Sequence, residues 1–225
     1  CATRARTRAP GSSPTARWFP IPAGKPYQRN LPAEPQQIEK RTKTVYADVP
    51  LDAIYKAYHM PQKYTKGYHI ADLLSDVIGR GKSSRLYEQL VKKEKMFNSL
   101  GAYVTGSLDP GLLVIHGKLN EGVSPEAGEA AIDRVLQEVK ETVVGEEELQ
   151  KVKNQAEATL IFSEVELLNR AMNLAFAALE GDPDYVNREP AIIQQVTALE
   201  VQTMANDILI PENCSTLYYK VKKDT

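Results

Sequence analysis

The spacing of apolar residues changes character along the chain, and each change marks an element. Thr44-Val45-Tyr46-Ala47-Asp48 is β-prone, and across Ala53–Met60 the residues Ile54, Lys56, Tyr58 and Met60 alternate with Tyr55, Ala57 and His59. A period of two is that of a half-buried strand, and Pro61 ends it. Ile70, Leu73, Leu74, Val77 and Ile78 then recur at helical spacing, which predicts an amphipathic helix over 67–78. Gly79 and Gly81 interrupt it, and Ser83 or Ser84 is placed to cap a second helix with Leu86, Leu90 and Val91 inward.

Strands near 97–107 and 111–119 flank Asp109-Pro110-Gly111, a turn signal that predicts an antiparallel hairpin. Ser124-Pro125-Glu126 opens a helix with Pro125 at its first position and a stripe of Ile132, Val135, Leu136, Val139 and Val143. After Gly145 the pattern predicts one long helix over 146–180. Glu146, Glu147 and Glu148 suit its positive end. Leu149, Val152, Ala156, Leu160, Leu167, Ala171, Leu174 and Ala178 form one stripe, and Val165, Leu168, Met172 and Phe176 a second. Its later half is therefore expected to be buried on two sides. Gly181-Asp182-Pro183-Asp184 ends it, a short helix follows over 192–196, and Thr197–Glu200 fits a capping box for a last helix reaching Ile208. Ser215–Val221 is a final strand. This order lacks the repeated strand–helix–strand units of a doubly wound sheet. It predicts an α+β fold over 44–223, with helices packed on one face of a mostly antiparallel sheet.

Composition narrows the function classes. Among 225 residues the net charge is −1, where a strongly basic field is the usual footprint of a nucleic-acid partner. No apolar run reaches the ~18 residues of a membrane span, so the chain is expected to be soluble, in either cytoplasm or periplasm. Residues 1–43 differ from the rest. Arg4, Arg6, Arg8, Arg17 and Arg29 stand among Pro10, Pro14, Pro20, Pro22, Pro26, Pro32 and Pro35, which deny regular structure. We read this stretch as an extended connector or the remnant of a preceding domain. An RNA-binding arm would need aromatics interleaved for base stacking.

No catalytic constellation emerges. Of the three histidines, His59 lies on a predicted strand, His69 near a helix start and His116 on a strand, and no two share a helix face at i and i+4. Cys214 has no local base, and Gly81-Lys82-Ser83 copies only the end of a phosphate-binding loop. The expectation is no catalytic residue and no metal ligand in this chain. Tyr46, Tyr55, Tyr58, Tyr64 and Tyr68 read either as sheet packing or as a wall touching peptide.

Several local patterns resemble the insulinase/pitrilysin zinc metallopeptidases, including the processing-peptidase-like bacterial zinc proteases. They are Trp18–Gly24, the loop holding Gly79, Gly81, Ser83, Ser84, Arg85 and Leu86, the turn Asp109-Pro110-Gly111, the helix start Gly145–Lys153, and Val196–Val201. That class hydrolyses peptides with H-x-x-E-H on a helix, which is absent here. The resemblance implies the C-terminal, non-zinc domain: part of a peptide-binding chamber, with zinc held by another domain or subunit. An alternative is a scaffold subunit of the same family that has lost activity. A further one is an unrelated α+β binding domain. The family's substrate-holding arginine and tyrosine belong near Gly111–Glu126, where neither residue type occurs, so that role is not carried over.

Overall fold

The computed structural model describes residue 32 and residues 34–222. Trp18–Gly24 and the arginines up to Arg29 lie outside the described residues. The chain divides into Cys1–Gln36 and Gln37–Thr225, and every element below belongs to the second.

Strands β1 (Arg41–Ala47), β2 (Ala53–Met60), β3 (Phe97–Thr105), β4 (Gly111–Leu119) and β5 (Cys214–Val221) form one sheet in the order β1-β5-β2-β4-β3. The β3–β4, β4–β2 and β2–β5 pairs are antiparallel, and β1 runs parallel to β5. β1 starts three residues ahead of Thr44. Arg41, Thr42 and Lys43 carry no apolar signal, and become a strand by pairing with Ser215, Thr216 and Leu217. Gln37 ties in the approach to β1: its buried side chain donates to the Cys214 carbonyl at 2.9 Å and accepts from Ser215 at 3.0 Å.

The helices are α1 (Lys66–Gly79), α2 (Pro125–Glu141), α3 (Glu146–Ser163), α4 (Leu167–Leu179), α5 (Tyr185–Gln194) and α6 (Ala198–Ile208). Ile70, Leu73, Leu74, Val77 and Ile78 of α1 all enter the core, as the period demanded, beside Ile54, Tyr58, Leu113 and Ile115 of the strands. Each such buried side chain contributes about 1.5–3 kcal/mol. Thr65 accepts from the Tyr68 N–H to cap α1, and Ser124 accepts from the Ala127 N–H to cap α2. The capping box of α6 forms as read, with reciprocal bonds between Thr197 and Glu200. The result is the α+β architecture expected. No helix among the described residues is long and apolar enough to cross a membrane.

The structure departs from the pattern reading in several places. The segment 146–180 is two helices, not one, broken at Glu164–Glu166. No Gly or Pro announces the break. Instead, local side-chain bonds compete with the helical ladder: Ser163 donates to the Leu160 carbonyl at 2.7 Å, and Asn169 donates to the Ser163 carbonyl at 3.1 Å. Nor is the later half buried on two sides. Phe162, Val165, Leu167 and Leu168 are 69–80% exposed, and of α4 only Ala177 is buried. Helix α5 begins at Tyr185, well before 192, because Pro190 reads as a stop but is tolerated inside it. Val143 is exposed beyond the end of α2, and Val144 takes the core position instead. The helix after Gly81 is a π-helical turn over Tyr87–Lys93 with no side-chain cap, and the Ser84 hydroxyl donates back to the Gly81 carbonyl at 2.8 Å.

Candidate functional site

The glycine–serine loop brings its residues together as a joint between helices. Gly79 ends α1 directly beneath β3, where a Cβ would stand 2.2 Å from the Ala102 nitrogen, so no larger residue fits. Gly81 takes a φ of +79°, a region costly for other residues. Ser83 accepts from Lys151 at 2.9 Å, and Arg85 grips Glu148 through two bonds of 2.8 and 3.2 Å. Leu86 is fully buried. The loop thus fixes the start of α3 against α1.

Two polar clusters lie inside the fold, and the sequence announced neither. The first surrounds Lys56, which β2 points into the core together with Ile54, Tyr58 and Met60. A buried ammonium is costly unless paired. Here Lys56 donates to Glu129 at 3.1 Å and also to Asp133, both on α2. Glu129 further accepts from Lys40 at 2.9 Å, Thr216 at 3.0 Å and Tyr218. Burial alone would raise the Glu129 carboxyl. The bonds from Lys40 and Tyr218 and the Lys56 ammonium outweigh it and hold the carboxyl at about 2. All four partners therefore address an ionised carboxylate, and the cluster works as a strut between α2 and the sheet.

The second cluster lines a polar cavity against α1, with Lys63, Tyr68, His69, Asp72, Arg80 and Glu189 among its walls. His69 Nε2 lies 2.6 Å from the Tyr185 hydroxyl and 3.7 Å from Glu189. Burial, with the nearby Lys63, lowers His69 to about 4, so its imidazole is neutral near pH 7. Asp72, Ser75 and Asp76 have the i, i+3, i+4 spacing of H-x-x-E-H. Their chemistry differs. Ser75 donates to the Asp72 carbonyl, and Asp76 is clasped by Arg80 at 2.9 Å. Burial, then the neighbouring Asp72, raises Asp76 to about 6 against the pull of Arg80.

A hydrolytic zinc needs neutral imidazoles converging with a carboxylate. His59 faces Leu112 across the sheet and bonds Asn213 at 3.2 Å. His69 is in α1 under Tyr185, and His116 stands between the rings of Tyr55 and Tyr103. Three scattered imidazoles, and an aspartate clasped by a guanidinium, do not fit that ion. Among the described residues no group of three or more His, Cys, Asp or Glu is placed to hold a metal.

What the surface offers instead is the apolar flank of α3 and α4. Ile161, Phe162, Val165, Leu167, Leu168 and Leu179 stand exposed in one stretch of chain. Scattered exposed leucines are ordinary in a protein, whereas a concentration of this kind is a candidate interaction surface.

Residues 11–156 match the family model described as the peptidase M16 inactive domain. The zinc protease PqqE of Helicobacter pylori is 30% identical over 129 residues, which cover 57% of this chain and 29% of that protein. A protease structure from Helicobacter pylori superposes with a TM-score of 0.80 at 23% identity, covering 88% of this chain and 48% of that one. An inactive peptidase domain from Bordetella parapertussis superposes with a TM-score of 0.72 at 18% identity, covering 80% of this chain and 96% of that one. The chain thus spans less than half the length of either Helicobacter protein.

Proposed function

The chain belongs to the peptidase M16 inactive-domain family, and from that premise we propose that it is the non-catalytic wall of a zinc-peptidase chamber. The reactive ion sits in another domain or subunit, and the exposed apolar flank of α3–α4 is where that partner docks. The observation that carries this reading is the flank itself. The apolar residues of 161–179 recur regularly enough to belong to a core, yet Phe162, Val165, Leu167, Leu168 and Leu179 are left 69–80% exposed. Burying several such side chains at ~1.5–3 kcal/mol each is ample to hold two domains together. The wall would bind and enclose peptide while the partner supplies the metal-bound water.

The test is reconstitution. The purified chain alone is expected to hold no stoichiometric zinc by plasma emission and to leave a quenched-fluorescence peptide intact. Mixed with a zinc-bearing M16 domain, it is expected to form a complex with chelator-sensitive cleavage. L167D/L168D should abolish complex formation while the thermal melt stays unchanged. A complex that forms without cleavage would favour the scaffold reading, and cleavage by the chain alone would overturn both.

A further inference from the structure

The sheet has a second face, away from the helices. Register places Lys43, Leu217, Tyr55 and His116 in one row across β1, β5, β2 and β4. Val45, Tyr219, Ala53 and Lys118 form the next row, and Arg41, Ser215, Ala57, Val114 and Tyr103 lie on the other side. Tyr55 stacks on His116 at 6.4 Å and 19°, and Tyr103 meets the same imidazole edge-on at 5.4 Å. Tyr55 and Tyr103 are 40% and 48% exposed. The five strands contain no Asp or Glu at any position. Lys56, pointing to the helices, is neutralised by carboxylates from α2. Arg41, Lys43 and Lys118 are exposed and make no ion pair among the described residues.

We infer that this open face binds an extended acidic peptide segment bearing aromatic or aliphatic side chains. The inference rests on the chamber-wall reading for the choice of peptide. The aromatic row supplies flat apolar area at low entropic cost, and unpaired cations on both sides of it supply an anion-attracting field. With strands ~4.8 Å apart, the row from β1 to β4 spans ~15 Å, the length of four or five extended residues. Single-stranded nucleic acid shares the anionic and stacking chemistry. The chamber-wall reading favours peptide, and oligo-dT serves as the competing probe.

Fluorescence anisotropy on the full chain alone decides this without the zinc-bearing partner. Three labelled probes of about ten units are used: a peptide alternating Asp or Glu with Phe or Leu, its Lys-substituted counterpart, and oligo-dT. The acidic peptide is expected to bind and the basic one not, with affinity falling as salt rises. K43E/K118E should weaken the acidic peptide about tenfold and bring the basic one into range. Y55S/Y103S should weaken binding in either charge background. Equal binding of both peptides, no binding of either, insensitivity to K43E/K118E, or tighter binding of oligo-dT would each overturn the inference. Because no partner is present, failure here is distinct from failure of the reconstitution.

Discussion

The two faces of the sheet treat the same kind of residue in opposite ways. On the helix side a single cation, Lys56, is fully buried and held by Glu129 and Asp133. On the open side Arg41, Lys43 and Lys118 stand in solvent without a carboxylate from any strand. The difference separates architecture from use. Charge that must be buried is matched by a partner 73 residues away in sequence, whereas charge on the open face is left available.

The largest expected effect breaks the buried side. Glu129→Ala leaves Lys56 and Lys40 with only Asp133 nearby, and should cost about 3 kcal/mol in chemical denaturation. Loss below ~1 kcal/mol would mean that Asp133 alone neutralises the buried ammonium. A pH series sharpens the point. Glu129 is held at about 2 in the fold, below the ~4.3 of an unfolded glutamate, so the folded state binds fewer protons between these values. Its contribution is complete above pH ~4.3 and fades as pH falls toward 2. Wild type should therefore lose more stability than Glu129→Gln across that window.

His69 gives an effect of similar size at milder pH. Its folded value of about 4 lies below the ~6.5 of a free imidazole. Its contribution is complete above pH ~6.5 and is lost as pH falls toward 4. His69→Gln should flatten that part of the profile measured by thermal melts. Asp76 has the opposite sign over an overlapping range: raised to about 6, it takes stability away as pH rises from ~4 to 6. Asp76→Asn separates the two. The smallest effect belongs to the open face, where K43E/K118E should change stability by no more than ~0.5 kcal/mol, however strongly it alters peptide binding. A large loss there would show that those lysines hold the sheet.

Local patterns made α1, the hairpin and the starts of α2 and α6 legible, because those features depend on neighbours close in sequence. The capping box at Thr197 and Glu200 needs only three residues of separation. The Gly79 joint was visible as punctuation, but its reason, the backbone of β3 pressed against α1, was not. Lys56 was placed on the correct strand face, yet its partner on α2 could not be read from a strand pattern. The stripes of α4 were read as core because spacing reports that a face is apolar, never which chain covers it. The break at Glu164–Glu166 hid because it is made by Ser163 and Asn169 rather than by glycine or proline.

The strand order carries one more consequence. β5 lies between β1 and β2, which adjoin one another in sequence. A nascent chain therefore cannot zip its first two strands together and keep them so. The gap must wait for the last strand to leave the ribosome and slide in. β2, β4 and β3 can pair before β5 is made, but β1 reaches the sheet only through β5, so a stop codon placed before Cys214 would cost the sheet two strands rather than one.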